Sequence, residues 1–163
     1  MSLLRVNFDE LYRRHLCRHS QFGINVLHLI AVAGIYIALY GIVFALPGSP
    51  WIIGVCLAIY FGLLARNLPL RLLLVNGLTI TALLGVFLLL PSVPVWIHVL
   101  LIVVWHRFQN WNHRVYDREM DMSEFAEKYR KGSALFVLLS IYELPILLNY
   151  LVFDGGARRH ERH

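Results

Sequence analysis

The chain has 163 residues, 58% of them hydrophobic and 15% charged, with mean hydropathy +0.61 and formal net charge +5. Soluble domains carry about 25% charged residues. Here no Asp, Glu, Lys or Arg falls between Arg18 and Arg66 or between Arg71 and Arg107, runs of 47 and 35 residues. Helices in such runs have no polar face to turn to water. That excludes a soluble globular domain, a disordered chain and a disulfide-rich secreted module.

In chain order, a short amphipathic helix is expected before the first apolar run. Spans are then predicted at about 25–46, 51–65, 72–90 and 95–116, with a fifth apolar stretch at 134–153. A bilayer core of about 30 Å needs about 20 such residues. Pro47-Gly48-Ser49-Pro50 closes the first span, Arg66-Asn67 with Pro69 the second, and Pro91-Ser92-Val93-Pro94 the third. Only the first half of the fourth is strongly apolar. Ser123 reads as the N-cap of a polar helix between the fourth and fifth stretches, and a basic tail occupies 154–163. No cleavable signal peptide is expected, because the first apolar run starts late. The fold class is therefore all-α: a polytopic transmembrane bundle of four to five spans forming one integral membrane domain.

Basic residues alternate from loop to loop. Arg5, Arg13, Arg14 and Arg18 precede the first span, Arg66 and Arg71 follow the second, and Arg107, Arg114, Arg118, Lys128, Arg130 and Lys131 follow the fourth. The loops between have none. By the positive-inside rule the N-terminus is cytoplasmic. The basic balance is then an orientation signal, and no nucleic-acid partner is expected. The fifth stretch breaks the alternation. Glu143 at a helix centre costs about 3 kcal/mol on insertion scales, and Pro145 follows it. An ordinary fifth span with Glu143 hydrogen-bonded inside is one reading. A kinked or re-entrant helix presenting Glu143 to a buried site is the other.

Five of the eight histidines gather at the cytoplasmic face in this topology: His15, His19, His28, His106 and His113. His15 and His19 are four apart, one helical turn, as two ligands of one ion would need. His106, Asn110 and His113 share a helix face, flanked by Gln109 and Asn112. Imidazoles suit iron, zinc and copper, and haem held by two histidines is a further possibility. Asp9, Glu10, Asp117, Glu119, Asp121 and Glu143 are the carboxylates near enough in topology to complete a non-haem iron site. Interfacial histidines are also ordinary headgroup anchors. His28 stands out because it lies on an otherwise apolar helix. Arg66 and Arg71 have the charge to hold an anionic headgroup or carboxylate, a role positive-inside flanks explain equally well. Cys17 and Cys56 lie at different depths, so no disulfide between them is expected.

The segment from His19 to His28, HSQFGINVLH, resembles the opening motif of the yeast-type 2-hydroxy fatty acid dioxygenase family, small multi-span membrane proteins. That motif has two histidines nine apart. The family's second motif has a Gln four residues before a histidine, matched by Gln109 and His113. The family usually has Pro where Phe22 and Ala33 stand, Asn where Ile24 stands and Gly where Asn112 stands. Its Lys-Pro segment after the second motif is absent here, and His15 and His106 are extra. The resemblance implies an Fe(2+)-dependent oxygenase that shortens 2-hydroxy fatty acids by one carbon. By that resemblance histidines would hold the iron; from the residues themselves, Glu143 and Asn110 are the catalytic candidates and Gln109, Arg66 and Arg71 the substrate candidates. The expected partners are a lipid or fatty-acid-like substrate and the bilayer, with homo-oligomerisation open. A proton or small-solute transport module is the alternative reading.

Overall fold

The computed structural model describes residues 5–17, 19, 21–116 and 133–154, without the side chains of 133–136. All regular secondary structure among these residues is helical. The helices are α1 (Phe8–Leu16), α2 (Phe22–Phe44), α3 (Ser49–Ala65), α4 (Leu70–Leu89), α5 (Val95–Tyr116) and α6 (Ser133–Leu148), the last running into a π-helical turn at Asn149–Phe153. They fall within a few residues of the apolar stretches marked by hydropathy. The segment around Ser123, the acidic residues at 117–121 and the basic tail lie outside the described residues.

Local chemistry sets the boundaries. Asn7 caps α1, its Oδ1 accepting from the Glu10 N–H at 3.1 Å. Gly48 takes φ 74° at the turn into α3, a left-handed conformation that glycine adopts without steric cost. Pro50 then sits in the first turn of α3, where a missing N–H costs nothing. Leu90 is extended before Pro91, which ends α4.

Helix α1 is amphipathic, as expected. Phe8, Leu11, Tyr12 and His15 are buried, while Asp9 and Arg13 face out. Helices α2 and α4 are long and apolar enough to cross a membrane. At 1.5 Å per residue their 23 and 20 residues reach about 35 and 30 Å. Helix α3 is apolar but only 17 residues long. The outward faces of α3, α4 and α5 are strongly apolar, with Trp51 83%, Leu78 71% and Val104 57% exposed.

Helices α2 and α5 form the central pair. Three glycines of α2 face three rings of α5: Gly41 meets His98, Gly34 meets Trp105 and Gly23 meets Tyr116. The spacing is seven and then eleven residues on both helices, two and three turns, so all six positions share one contact line in antiparallel register. A Cβ on Gly23 would lie 2.8 Å from the Tyr116 ring, and one on Gly34 or Gly41 would overlap the ring opposite. Glycine is required because the ring occupies the space a side chain would fill.

The N-terminal segment, the α3–α4 turn and the C-terminal part of α5 lie at one end of this array, and the middle of α6 and Asp154 beyond it bond to that end. Asn67 accepts from the Val6 N–H at 2.9 Å and donates to the Tyr142 hydroxyl at 2.8 Å. Gln109 Nε2 donates to Glu143 Oε1 at 3.0 Å. Tyr12 donates to Asp154 Oδ2 at 2.8 Å. Burial, and then this carboxylate, raises the Tyr12 hydroxyl above its ordinary range. Pro145 removes one ladder hydrogen bond inside α6. The middle and the C-terminal end of α6 thus bond to the same end of the array.

Candidate metal centre

Three histidines from three separate places in the chain meet at that end. His19 lies in the link between α1 and α2, His28 two turns into α2, and His113 near the end of α5. One ligand nitrogen from each lies within 4.8 Å of the others. Ring centroids are 4.5 Å apart for His19–His28 and 4.8 Å for both His19–His113 and His28–His113. The ring planes are mutually inclined by 76°, 71° and 75°. An imidazole binds a metal along a lone pair in its ring plane, and three steeply inclined planes intersect at a point. Together with the short nitrogen separations, these inclined planes are compatible with one shared ion, so the group could hold a metal.

His19 shows the fit most clearly. Its Nδ1 is 3.3 Å from the His15 carbonyl oxygen, which can only accept, so Nδ1 carries the hydrogen. The lone pair then belongs to Nε2, which is buried and has no hydrogen-bond partner among the described residues. Burial holds the His19 imidazole well below its ordinary value of 6.5, helped by the neighbouring His15, His28 and His113. A neutral imidazole with its other nitrogen tied to a carbonyl is the form that ligates metal.

Asn25 puts His19 in place. Its Nδ2 donates to the His19 carbonyl at 2.6 Å and to the Gln21 carbonyl at 2.8 Å, folding the link back over the first turn of α2. Sequence reading gave Asn25 no role. Its signals were a lone amide at the start of an apolar helix and its place one residue after the Asn of the resembled motif.

A cavity of about 180 Å³ opens beside the cluster. His15, His19, His28, His106, His113, Gln109, Asn110 and Glu143 all line it, so all five histidines selected from topology reach one space. Leu11, Leu139 and Ser140 complete it. A second, more apolar cavity of about 410 Å³ shares His106, Gln109, Ser140 and Glu143 and continues along Val32, Ile35, Tyr36 and Leu39.

Other expectations come out differently. His15 and His19 lie one helical turn apart, the His19 N–H bonding to the His15 carbonyl at 3.0 Å, with their rings stacked on each other. Helix α1 ends at Leu16, and the two rings stack face to face, centroids 3.8 Å apart and planes 2° apart. Arg66 and Arg71 are exposed and do not line the histidine cavity. Arg71 instead lies over the Phe153 ring, 5.1 Å from its centroid. Asp9 is exposed and Glu10 pairs with Arg14 at 3.2 Å, so neither lines the cavity. Cys17 and Cys56 are free thiols.

Compared with known proteins, the chain matches no family model, no curated protein and no solved structure.

Proposed function

We propose that this chain is a multi-pass membrane protein with its N-terminus in the cytoplasm, that His19, His28 and His113 hold a transition-metal ion, and that the ion serves a non-haem iron oxygenase acting on a lipid-like substrate. The observation that carries the reading is that three imidazoles from separate parts of the chain bring one ligand nitrogen each within 4.8 Å of the others. The membrane part rests on the outward apolar faces of α3, α4 and α5 and on the loop-to-loop alternation of basic residues. A donor set of three neighbouring imidazoles suits a small non-haem ion better than haem, which would use two of them.

When bound, iron would activate dioxygen and present open positions to the substrate's hydroxy-carboxylate end. The residues do the rest. Gln109 orients the Glu143 carboxylate toward the cavity they share, where it can accept a proton from the substrate hydroxyl. Asn110 offers an amide to the polar end of the substrate from the cavity's edge. Val32, Ile35 and Leu39 line the adjoining apolar cavity, which suits an acyl chain and keeps water from it. A 2-hydroxy acid plus one dioxygen balances to the acid one carbon shorter, carbon dioxide and water. No external reductant is needed.

The test is elemental analysis of the detergent-purified chain. Iron or another transition metal is expected in stoichiometric amount, and a His28→Ala, His113→Ala double variant should lose it. Metal-free wild-type protein, or unchanged metal in the double variant, defeats the metal centre. Metal without dioxygen uptake on a 2-hydroxy fatty acid leaves the centre and defeats the oxygenase.

A further inference from the structure

One face of α2 forms a wall of two cavities in succession. Val32, Ile35, Tyr36, Leu39, Tyr40 and Val43 fall at i, i+3, i+4, i+7, i+8 and i+11, a single stripe along a helix. The first four line the apolar cavity that adjoins the histidines. The last four line a further cavity of about 340 Å³, closed by side chains of α3 and α4. Tyr36 and Leu39 belong to both walls, so the two spaces adjoin.

The further cavity has three tyrosines in its wall, but their hydroxyls are engaged. Tyr36 donates to the Tyr60 hydroxyl at 3.4 Å, Tyr60 also accepts from Asn76 Nδ2 at 3.3 Å, and Tyr40 donates to the Ile80 carbonyl at 3.2 Å. No charged side chain lines it among the described residues. Such a wall has nothing to hold a carboxylate and suits hydrocarbon. Leu39 is 42% exposed and Cys56 is exposed, so the space opens sideways between α2 and α3 onto the apolar outer surface. The length fits as well. From Val32 to Val43 the stripe rises about 16 Å at about 1.5 Å per residue. One leaflet's hydrocarbon, half of a core of about 30 Å, is about 15 Å deep. The stripe is therefore as long as the acyl tail of a membrane lipid.

We propose that the cavity between α2, α3 and α4 seats the far end of the substrate's acyl chain, with Tyr36 and Leu39 passing the chain on from the histidine side. The polar head stays with the histidines, the tail enters sideways from the bilayer, and the site selects long chains over short ones. The proposal rests on the reading of the histidine cavity as the site of a lipid-like acid.

Cys56 gives a readout that needs neither metal nor turnover. Its thiol lines the further cavity, and with Cys17→Ser it is the one thiol left in the chain. The full chain, in a steroid-based detergent that has no acyl tail to compete, is alkylated with N-ethylmaleimide beside equal concentrations of 2-hydroxyhexadecanoate or 2-hydroxyoctanoate. The long acid should slow alkylation about tenfold and the short one hardly at all, because each methylene seated strengthens binding about fourfold. Ile53→Trp, one turn from Cys56 in the same wall, fills the space and should cancel the protection. Equal protection by both acids, protection by neither, or protection that survives Ile53→Trp overturns the tail seat, whatever dioxygen uptake shows. Length-dependent protection without dioxygen uptake leaves the tail seat standing and defeats the oxygenase.

Discussion

A hydrogen bond to a backbone carbonyl decides the character of His19. With Nδ1 spent on the His15 carbonyl, Nε2 is left as a bare lone pair in a buried place. The same burial sets a pH dependence for the metal-free protein. A His19 pKa below 6.5 in the folded state means that the unfolded chain takes up its proton first as pH falls. Stability should be undiminished above about pH 6.5 and decline below it. Thermal melts of the stripped protein at pH 7.5 and 5.5 check this, and His19→Gln should flatten the difference. A melting temperature that rises on acidification would contradict it. Asn25 is the residue to change next. Asn25→Ala frees the His19 link while keeping every imidazole in the chain, and metal affinity is expected to fall by about tenfold or more, as when a ligand's supporting bonds are lost. An unchanged affinity would mean that the link holds its shape without the amide.

At the scale of elements, the contact line between α2 and α5 keeps the site in register. Gly34→Ala would drive a methyl group into the Trp105 ring and push the helices apart, an overpacking cost of about 1–3 kcal/mol. His28 and His113 would separate with them. The expected result is a lower melting temperature together with weaker metal binding, partly restored by Trp105→Leu. Gly54, Gly62 and Gly85 have nothing within 4 Å of a built Cβ, and alanine there should change neither. The contrast checks whether close approach, rather than glycine content, is what α2 needs. These elements also mark where the sequence was readable. The apolar runs and their Pro and Gly stops located the helices. Alternating basic loops were enough to bring His28 and His113 to one end, although 85 positions separate them. The glycine seats were not legible, because a small residue in an apolar helix looks alike whether or not a ring faces it. The i, i+4 spacing of His15 and His19 does put both rings on one face, the His19 N–H bonding to the His15 carbonyl at 3.0 Å, but spacing alone does not tell stacked rings from converging ones. Arg66 and Arg71 lie outside the histidine cavity, because charge at the correct end says nothing about which cavity it faces.

For the whole molecule, α6 decides the topology. Its middle is tied to Asn67 and Gln109 and its end to Tyr12. A helix bonded to one end of the array at both points lies across that end, so the tail should emerge on the same side as the N-terminus. Reporter fusions check this. A fusion after residue 163 should report the same side as one at the N-terminus, and one inserted at Ser92 the opposite side. Opposite readings from the two termini would make α6 an ordinary fifth span.

The scattering of the three histidines also imposes an order on biogenesis. His19 and His28 leave the ribosome early, but His113 follows only after α3, α4 and most of α5 have been made. Until then the first two imidazoles are an incomplete pair with weak hold on any ion. On the proposed reading, metal capture comes late, once α5 lies alongside α2, and Glu143 is made later still. Nascent chains cut at Pro94 should leave the translation machinery empty-handed, whereas chains reaching Asp154 should be able to load.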